Sequence, residues 1–298
     1  MPELPEVETV CLGLRATVLG KTIECVAVNA PASSIVVSQS IAPRDFATAL
    51  SGRTILQIDR RGKNILIGLS GDLVLWVHLK MTGHFFYDEQ PVTQEKHDLI
   101  TFTLSEAPTT SSLRGVQSPK AVERLSNLSY LRFNDYRRFG RHRLYTSAEV
   151  WDQKGLRELG PEPLEISARE FVALCRKRPR QLKAALLDQS FIAGVGNIYA
   201  DESLWAAKLH PLRLTTSASA DKLTELHHHI QRLLKLAIRK AGTSVDTYTG
   251  VNGQPGSFQK YLKVYDREGE PCTRCSTKIV RKKIGARSAH YCPKCQRC

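Results

Sequence analysis

Hydrophobic residues at the start of the chain recur at helical spacing and predict an N-terminal helix. Pro5 suits the first helical position, because proline has no N–H group to leave unpaired there, and Gly20 can end the helix. The apolar positions that share one helical face are Val7, Val10, Leu14 and Val18. Such a helix anchors Pro2 and Glu3 rigidly at its start.

Between residues 22 and 145 the pattern changes to short β-rich runs separated by Gly, Asp, Pro or Ser. The predicted strands are Ile23–Val28, Thr54–Asp59, Asn64–Leu69, Leu73–Leu79, Leu99–Leu104 and Ser129–Phe133. One short helix, Pro43–Leu50, interrupts them, and residues 105–127 are predicted to form a surface loop. Strands at this spacing, without long helices between them, favour an antiparallel β-sandwich.

After a Gly-Pro-Glu-Pro linker at 160–163, the apolar residues recur with a helical period. The predicted helices are Ala168–Arg176, Gln181–Leu187, Asn197–Ala207 and Ala220–Ala241. In the last helix an apolar stripe includes Leu223 and Ile230, whereas the consecutive histidines 227–229 point in three directions. We therefore expect these histidines at surface and flank positions and not in a metal site.

Charge is the compositional feature that changes this picture. The 298 residues carry a formal net charge of +14, which is typical of a protein with a polyanionic partner. Residues 251–298 contain eleven Lys or Arg against three acids, and residues 131–143 contain five Arg against one Asp. Separated basic segments favour a binding groove, with a merely soluble basic protein as the alternative. No apolar run of about 18 residues is present, so we predict a cytosolic protein without membrane association.

Five of the eight cysteines lie in the last 27 residues. Four of them form two Cys-x2-Cys pairs separated by sixteen residues, namely Cys272, Cys275, Cys292 and Cys295. Two such pairs close a tetrahedral four-sulfur shell, which leaves no open position and so predicts one structural Zn²⁺. A reduced cluster without metal is the alternative. The basic segment 278–287 between the pairs predicts a β-hairpin presented to a phosphate backbone.

The second and third residues carry candidate chemistry. If Met1 is removed, Pro2 begins the chain with a secondary amine, next to the carboxylate of Glu3. An α-amino group titrates near pH 8, about two units below a lysine amine, so a useful fraction is nucleophilic at neutral pH. Amines of this kind form Schiff bases with masked aldehydes. The alternative is that Met-Pro merely begins an ordinary helix.

A second candidate site is the start of the helix at Asn197, which follows Gly194-Val195-Gly196. Unpaired backbone N–H groups and the positive end of the helix dipole favour a phosphate there, with a simple tight turn as the alternative. Together with the preceding helix, Gln181–Leu187, this helix forms a helix–two-turns–helix arrangement, which is a shape that docks on DNA.

Taken in order, these motifs resemble those of bacterial formamidopyrimidine-DNA glycosylases, which repair oxidised purines. The matching segments are PELPEVET at 2–9, RRGK at 60–63, HLKMTG at 78–83, RRFG at 137–140, LGPEP at 159–163, GVGNIYADESL at 194–204 and the four-cysteine finger. The resemblance covers nearly the whole chain and implies an α+β protein with DNA in the cleft between its domains. The implied domains are an N-terminal antiparallel β-sandwich with an N-terminal helix (1–150), a helical helix–two-turns–helix domain (151–258) and a β-hairpin zinc finger (259–298).

Two alternatives to this function stay open. A sister group, the endonuclease VIII-like enzymes, shares the architecture but acts on oxidised pyrimidines; PELPEVET resembles the purine-specific branch. The other alternative is a non-catalytic zinc-finger DNA-binding protein. Pro2 and Glu3 argue against it, because binding alone requires neither an amine nor an acid at the terminus.

The resemblance implies a bifunctional glycosylase and abasic-site lyase acting on 8-oxoguanine and formamidopyrimidines in duplex DNA, with nicking by β,δ-elimination. Pro2 would attack C1′ of the damaged nucleotide and form a Schiff base, and Glu3 would shuttle protons. Lys63 would bind a phosphate beside the lesion, with an exposed strand lysine as the alternative. Arg287 would clamp the phosphates and assist elimination. Glu6 would support the site, or be a plain carboxylate in the first helical turn.

The same resemblance implies the DNA contacts. An enzyme that flips a base out of the stack must fill the gap, and here Met81, Arg137 and Phe139 would do so; without the resemblance, Met81 and Phe139 would be read as core residues. Contacts to the DNA backbone are implied for His97, Arg178, Lys183 and Asn197. Two departures flank the trio, since Lys80 replaces the usual glycine of HLGM and Tyr136 the usual proline after Asp. The implied partner is damaged double-stranded DNA. The protein is expected to bind it as a monomer, at the nucleoid and without an obligate protein partner.

Overall fold

The structure, a computed structural model, describes residues 1–29, 45–106, 128–244 and 249–297. Most of the predicted loop at 105–127 and the start of the predicted helix Pro43–Leu50 lie outside these residues. The chain divides into two compact units. The first comprises Met1–Pro2, Glu6–Gln153 and the described part of Val245–Pro255, and the second comprises Glu3–Pro5, Lys154–Ser244 and the described part of Gly256–Cys298. The predicted division into three domains stays a prediction.

The first unit is the predicted antiparallel β-sandwich. Its strands are β1 (Thr22–Val28), β2 (Ile55–Arg61), β3 (Asn64–Leu69), β4 (Leu73–His78), β5 (His84–Asp88), β6 (Asp98–Ser105), β7 (Leu128–Asn134) and β8 (Arg141–Thr146). Sheet I has the order β1-β6-β7-β5, and sheet II has the order β2-β3-β4-β8. Helix α1 (Leu4–Thr17) buries its predicted face, including Val7 and Leu14, in the core that both sheets share. Two short helices, α2 (Phe46–Leu50) and α3 (Ser147–Val150), complete the unit.

Strand β8 was not predicted, because one of its core-facing residues, at position 142, is a histidine. His142 is fully buried and packs edge-on against Phe133 and Phe85, with ring centroids 4.3 Å and 6.0 Å apart. Neither ring nitrogen has a hydrogen-bond partner among the described residues. Burial lowers the pKa of His142 to about 3, so the ring is neutral at physiological pH.

The substitution His142→Leu is expected to stabilise the fold by about 1–3 kcal/mol, because it removes buried polar atoms that lack partners. It should also flatten the pH dependence of stability. An unfolded histidine binds a proton near pH 6.5, whereas His142 in the folded protein stays neutral down to about pH 3. Wild-type stability therefore falls as the pH drops below 6.5, by up to about 1.4 kcal/mol per pH unit from this residue. Urea unfolding at pH 7.5 and 4.5 checks both effects, and equal pH slopes for the two proteins would contradict the second.

The second unit is helical and ends in a β-hairpin. Its elements are α4 (Lys154–Arg157), α5 (Ala168–Arg176), α6 (Leu182–Leu187), α7 (Asn197–Ala206), α8 (Ala220–Arg239), a 3-10 turn at Phe258–Tyr261, β9 (Val280–Ile284) and β10 (Arg287–Tyr291). Ser167 caps α5 by accepting a hydrogen bond from the backbone N–H of Glu170. Cys272 and Cys292 of the finger share one hydrophobic core with the helices. Among the described residues, every helix is too short or too polar to cross a lipid bilayer.

One expectation for helix α8 was wrong. His227 is buried, and its Nε2 lies 2.9 Å from the carbonyl oxygen of Ile166. The position follows Leu223 by four residues and precedes Ile230 by three, so the ring lies on the apolar stripe itself. His228 is exposed and His229 is partly exposed, as expected.

Candidate functional site

The carboxylate of Glu3 is bound at the N-terminus of α7, within the second unit. Glu3 is 3% exposed; its Oε1 accepts a hydrogen bond from Ile198 N at 2.9 Å and its Oε2 from Tyr199 N at 3.4 Å. The helix dipole and the unpaired N–H groups of the first turn both stabilise a negative charge there. Gly196 is required next to it, because a Cβ at that position would come within 2.3 Å of the Glu3 carboxyl carbon. The Glu3 side chain thus occupies two of the backbone N–H groups that were predicted to bind a phosphate at the start of this helix.

The same segment also fixes the backbone behind Glu3. Leu4 N donates to the carbonyl oxygen of Gly194 at 3.0 Å, and Gly194 adopts a left-handed conformation with φ +83°. Residues 3 and 4 are therefore tethered on both side chain and backbone. Pro2 is buried and belongs to the first unit, as does Glu6, which is 2% exposed.

Lys183 lies in a buried polar network beside the start of α7. Its Nζ donates to Asp201 Oδ1 at 2.5 Å and to the carbonyl oxygen of Asn197 at 3.2 Å, while Asp201 Oδ2 accepts a hydrogen bond from His290 N at 2.9 Å. Burial lowers the pKa of Lys183, and the negative charge of Asp201 opposes that effect. The ammonium is fully enclosed by protein groups, so a direct contact with DNA would require it to leave Asp201. That contact stays a prediction.

Sequence reasoning missed the residues that hold the loop facing Asn197. The side chain of Asn197 hydrogen bonds to Tyr265 and lowers the pKa of this phenol, although burial, the larger effect, raises it. The carboxylate of Glu202 accepts hydrogen bonds from the backbone N–H groups of Val264 and Tyr265, each at 2.9 Å, and so fixes that loop. The signal was present in GVGNIYADESL, where Asp201 and Glu202 lie within a continuous buried run from Tyr199 to Ala206.

Two further predicted DNA contacts are exposed in the second unit. Arg287 opens β10 directly after the hairpin turn, and its positive charge contributes to the lowered pKa of Lys183. Arg178 lies in the loop after α5, where its carbonyl oxygen accepts a hydrogen bond from Thr215 Oγ1 at 3.0 Å. The structure thus brings Glu3, Lys183, Asn197 and Arg287 into one region, whereas it describes no such link for Arg178.

The four finger cysteines have the geometry of a zinc site. Their Sγ atoms lie within 4.8 Å of one another. Three of the separations are 3.4 Å (Cys275 to Cys292), 3.5 Å (Cys275 to Cys295) and 4.0 Å (Cys272 to Cys295). A tetrahedral shell with Zn–S bonds of ~2.3 Å requires separations of ~3.8 Å, so the residues fit one structural Zn²⁺. Trp205 Nε1, 3.5 Å from Cys272 Sγ, supplies a hydrogen bond to the shell.

The thiols themselves favour a cation at this point. Hydrogen bonds from Thr277 lower the pKa of Cys275 to about 6, whereas burial and the neighbouring thiols raise the pKa of Cys295 to about 12. A divalent cation removes this conflict, because it stabilises all four as thiolates. Gln296 holds the second pair in place: its Oε1 accepts a hydrogen bond from Cys292 N at 2.8 Å, and its Nε2 donates to the carbonyl oxygen of Leu209 at 2.9 Å.

Met81, Arg137 and Phe139 meet at the surface of the first unit. The Arg137 guanidinium lies 4.7 Å from the centre of the Phe139 ring, and its Nη1 lies 3.3 Å from Met81 Sδ. Met81 is 39% exposed and Phe139 is 44% exposed, so the alternative reading of both as core residues was wrong. We call these three residues the base-filling trio, after the role that the resemblance implies for them, which stays a prediction.

Buried Asp135 connects the two loops that carry the base-filling trio. Its Oδ1 accepts hydrogen bonds from Thr82 Oγ1 and from Arg137 N, the latter at 3.1 Å, and its Oδ2 accepts one from Gly140 N at 2.7 Å. Asp135 N donates to the carbonyl oxygen of His97 at 3.0 Å, which ties that half-buried residue to the same loops. Sequence reasoning did not select Asp135 as a positioning group.

Lys63 occupies the two-residue turn between β2 and β3 and is 6% exposed, so it is not an exposed strand lysine. The next residue, Asn64, accepts a hydrogen bond from Trp76 Nε1 at 2.8 Å and stabilises the turn. His78 lies close to this turn: its burial, with the positive charges of Lys80, Lys63 and a nearby arginine, lowers its pKa to about 3. Lys63 therefore lies in a positive region that holds a neutral histidine.

Three features occur together in this chain: a β-sandwich that presents an apolar and cationic trio, a helix–two-turns–helix pair formed by α6 and α7, and a four-cysteine hairpin. Together they define a DNA glycosylase of the helix–two-turns–helix class. Family models match in the same order: the formamidopyrimidine-DNA glycosylase N-terminal domain over residues 1–142, the formamidopyrimidine-DNA glycosylase H2TH domain over 159–249, and the zinc finger found in FPG and IleRS over 269–297. The chain belongs to the formamidopyrimidine-DNA glycosylase family.

Individual relatives agree over the full length. A formamidopyrimidine-DNA glycosylase from Pelotomaculum thermopropionicum is 40% identical, over 100% of this chain and 99% of its own length. The Lactococcus lactis Fpg, solved in complex with DNA containing an abasic site, superposes with a TM-score of 0.85 at 32% identity, over 99% of this chain and 100% of the other. A MutM solved with DNA containing carbocyclic 8-oxo-G has a TM-score of 0.84 at 31% identity, with complete coverage of both chains.

Proposed function

We propose that this protein excises oxidised purines from double-stranded DNA through a Schiff base on Pro2, and then nicks the abasic site by β,δ-elimination. The observation that carries the proposal is the buried carboxylate of Glu3, held on two backbone N–H groups one residue after Pro2. The substrate class is supported by the relatives, which are named formamidopyrimidine-DNA glycosylases and are solved with abasic-site and 8-oxo-G DNA.

In the proposed reaction, each of the named side chains has its own role. With Met1 removed, the Pro2 nitrogen attacks C1′, the bond from C1′ to the base breaks, and the base leaves after gaining a proton. Glu3 carries protons between the sugar ring, the leaving base and the new imine, because it is fixed beside the amine and can return to its anionic form on the helix N-terminus. Lys63 and Arg287 bind the flanking phosphates and stabilise them as leaving groups during elimination. The zinc is structural, and it holds the hairpin that carries Arg287.

The base-filling trio takes the place of the flipped nucleotide. Met81 and Phe139 present exposed apolar surface that can enter the stack, and Arg137 lies beside both of them with donors for the orphaned base. His97, Arg178 and Asn197 are assigned to the DNA backbone. We also propose that the protein acts as a monomer at the nucleoid in the cytoplasm.

Arg137→Ala is expected to weaken discrimination among the four opposite bases, because the guanidinium supplies the hydrogen-bond donors among the side chains of the trio. Single-turnover excision of 8-oxoguanine opposite each of the four bases measures this effect. The neighbouring variant Arg138→Gly is the control, since Arg138 already adopts φ +57° and glycine tolerates that conformation. An unchanged order of rates across the four duplexes in Arg137→Ala would remove the assigned role.

Borohydride trapping tests the proposed nucleophile and the substrate class together. On duplex DNA with 8-oxoguanine opposite cytosine, reduction of the Schiff base should leave a covalent adduct on a peptide that begins at Pro2. That result also establishes the removal of Met1. Trapping only with an oxidised pyrimidine would contradict the substrate class, and no adduct with any lesion, despite salt-sensitive binding, would favour a non-catalytic DNA-binding protein.

A further inference from the structure

Lys80 has an unusual backbone conformation directly before Met81. Its φ is +56°, in the left-handed region that disfavours any residue with a Cβ relative to glycine. Among the sequence motifs, this is the position where lysine replaces the usual glycine of HLGM. A strained conformation persists where the surrounding structure or a ligand compensates for it, so the lysine side chain itself requires an explanation.

The ammonium belongs to a cluster of cations on one face of sheet II. On the neighbouring strands β4 and β8, His78 lies opposite Arg141 and Trp76 lies opposite Arg143. Opposed residues project from the same face, so both arginines share the face of Trp76 and His78, which is turned away from the sandwich core. The Arg143 guanidinium stacks 4.6 Å from the centre of the Trp76 ring, and Lys80 N donates to His78 Nδ1 at 2.9 Å.

Among the described residues, this cluster contains no ion pair. Within the part of the chain that the structure describes, no carboxylate lies within 4.0 Å of the nitrogens of Lys80, Arg141 or Arg143. Burial lowers the pKa of Lys80, and the charges of the two arginines lower it further. Three partly buried cations that have no acidic partner in the described part of the chain repel one another, and an anionic ligand relieves that repulsion.

Arg141 links the cluster to the base-filling trio. Its Nη1 donates to the carbonyl oxygens of Phe139 at 3.0 Å and Gly140 at 2.7 Å, so one guanidinium spans the cation cluster and the loop that carries Phe139. On the other side, Lys80 is the residue that precedes Met81. Both loops that carry the trio therefore end in the same positive patch.

We propose that Lys80 and Arg143 form a phosphodiester-binding site, beside the base-filling trio, for a backbone phosphate of the DNA duplex that the trio enters. Ammonium and guanidinium groups suit the two non-bridging oxygens of a phosphodiester, and Trp76 keeps the guanidinium of Arg143 in a fixed orientation. Arg141 is a positioning residue for the Phe139 loop. The inference rests on the proposed function, because the ligand is the substrate of that reaction.

The salt dependence of binding tests the site. The probe is a duplex with a tetrahydrofuran abasic analogue, because it binds without being processed at a base. Each neutralised phosphate contributes roughly 0.9 to the slope of log Kd against log salt. Because Lys80 and Arg143 share one phosphate, Lys80→Gly and Arg143→Gln should each lower the slope by part of that amount, and the double variant should lower it by about 0.9. Lys80→Arg should retain the wild-type slope. Wild-type slopes in both Lys80→Gly and Arg143→Gln would overturn the proposal.

Lys208→Gly is the matched control. Lys208 is also a lysine with positive φ, +58°, and it is exposed at the end of α7, outside the cation cluster. The substitution removes the same charge at the same backbone conformation, and it should leave the slope unchanged. A slope lowered equally in Lys208→Gly and Lys80→Gly would show a general effect of net charge and overturn the proposal. Lys80→Gly should fold at least as stably as the wild type, because glycine adopts this φ without strain.

Methylphosphonate substitution locates the phosphate. A single neutral linkage is moved along each strand of the probe. At one linkage it should weaken binding by the wild type clearly more than binding by Lys80→Gly, which is the coupling expected of a direct pair. An identical pattern in both proteins would contradict the inference. Inorganic phosphate at constant ionic strength should not compete; competition that disappears in Lys80→Gly would assign the site to free phosphate instead.

The activity of the wild type separates this inference from the proposed function. If the wild type excises 8-oxoguanine and the two variants keep its slope and linkage pattern, the phosphate site alone fails. The opposite result is that the wild type excises no lesion, while Lys80→Gly shows a lowered salt slope and a reduced effect of the neutral linkage. In that case the phosphate site is confirmed in a DNA-binding protein, and the proposed reaction fails.

Discussion

Glu3→Gln is expected to reduce base excision by about 10²–10⁴-fold while leaving the affinity for DNA close to that of the wild type. The substitution keeps the size of the side chain but removes the group that accepts and returns protons. Single-turnover excision of 8-oxoguanine opposite cytosine measures the first quantity. The Kd for a duplex with a tetrahydrofuran abasic analogue measures the second.

The structure adds a stability effect to this prediction. Glu3 uses both carboxylate oxygens as acceptors, for Ile198 N and Tyr199 N, whereas glutamine has one carbonyl oxygen and must turn an NH₂ group toward the other donor. Leaving one N–H unpaired costs about 1–3 kcal/mol, which thermal melting will show. Excision at the wild-type rate would contradict proton transfer by Glu3. Loss of both excision and binding would assign it a structural role only.

Glu8→Gln is the matched control for this experiment. Glu8 lies in α1, which begins directly after Glu3, and it is partly buried; its carboxylate pairs with Arg15 at 3.0 Å and with Arg60 at 2.8 Å. We expect this variant to lose some stability and to retain excision within a few-fold of the wild type. A comparable loss of excision in Glu8→Gln would show that the effect is not specific to Glu3.

Removal of the zinc ligand Cys292 is the second large expected effect: Cys292→Ser should unfold the finger and abolish specific DNA binding. Structural zinc contributes an apparent ~10–16 kcal/mol to the folding of such modules, comparable with the ~5–15 kcal/mol that stabilises a typical domain. Cys272 and Cys292 are both buried in the core of the second unit, so the loss extends beyond the hairpin. Arg287 loses its position at the same time, because it opens β10 of that hairpin.

Cys25→Ser provides the control, since Cys25 is exposed on β1 and remote in sequence from the cluster. Zinc content is measured with a chromophoric chelator after the thiols have been blocked, together with circular dichroism and duplex binding. Wild type and Cys25→Ser should each release one zinc ion per chain, and Cys292→Ser should release less than one. Full duplex binding by metal-free protein would contradict the structural role of the metal.

Local patterns in the chain were sufficient for most elements of the fold. Six of the eight strands that the structure describes in the sandwich follow from apolar periodicity, which depends only on neighbouring residues. The same holds for the face of α1 and for the helices α5 to α8. Strand β5 was missed because its sequence, HFFYD, does not alternate between apolar and polar positions. Strand β8 was missed because its exposed face is cationic and one of its core positions is His142. The apolar stripe that predicted α8 also contains His227. Its burial was not predicted, because histidine is a polar residue.

What the sequence by itself determined is the chemistry that can be read from residues close together: a terminal Pro-Glu, two Cys-x2-Cys pairs, and basic segments that require a polyanion. The tertiary structure alone decided which distant residues meet. It placed the carboxylate of Glu3 on the N–H groups of Ile198 and Tyr199, nearly two hundred positions away, and it enclosed Lys183 while exposing Met81 and Phe139. The physical reason is that periodicity and ligand spacing are local properties of the chain, whereas burial and pairing depend on how separate elements pack.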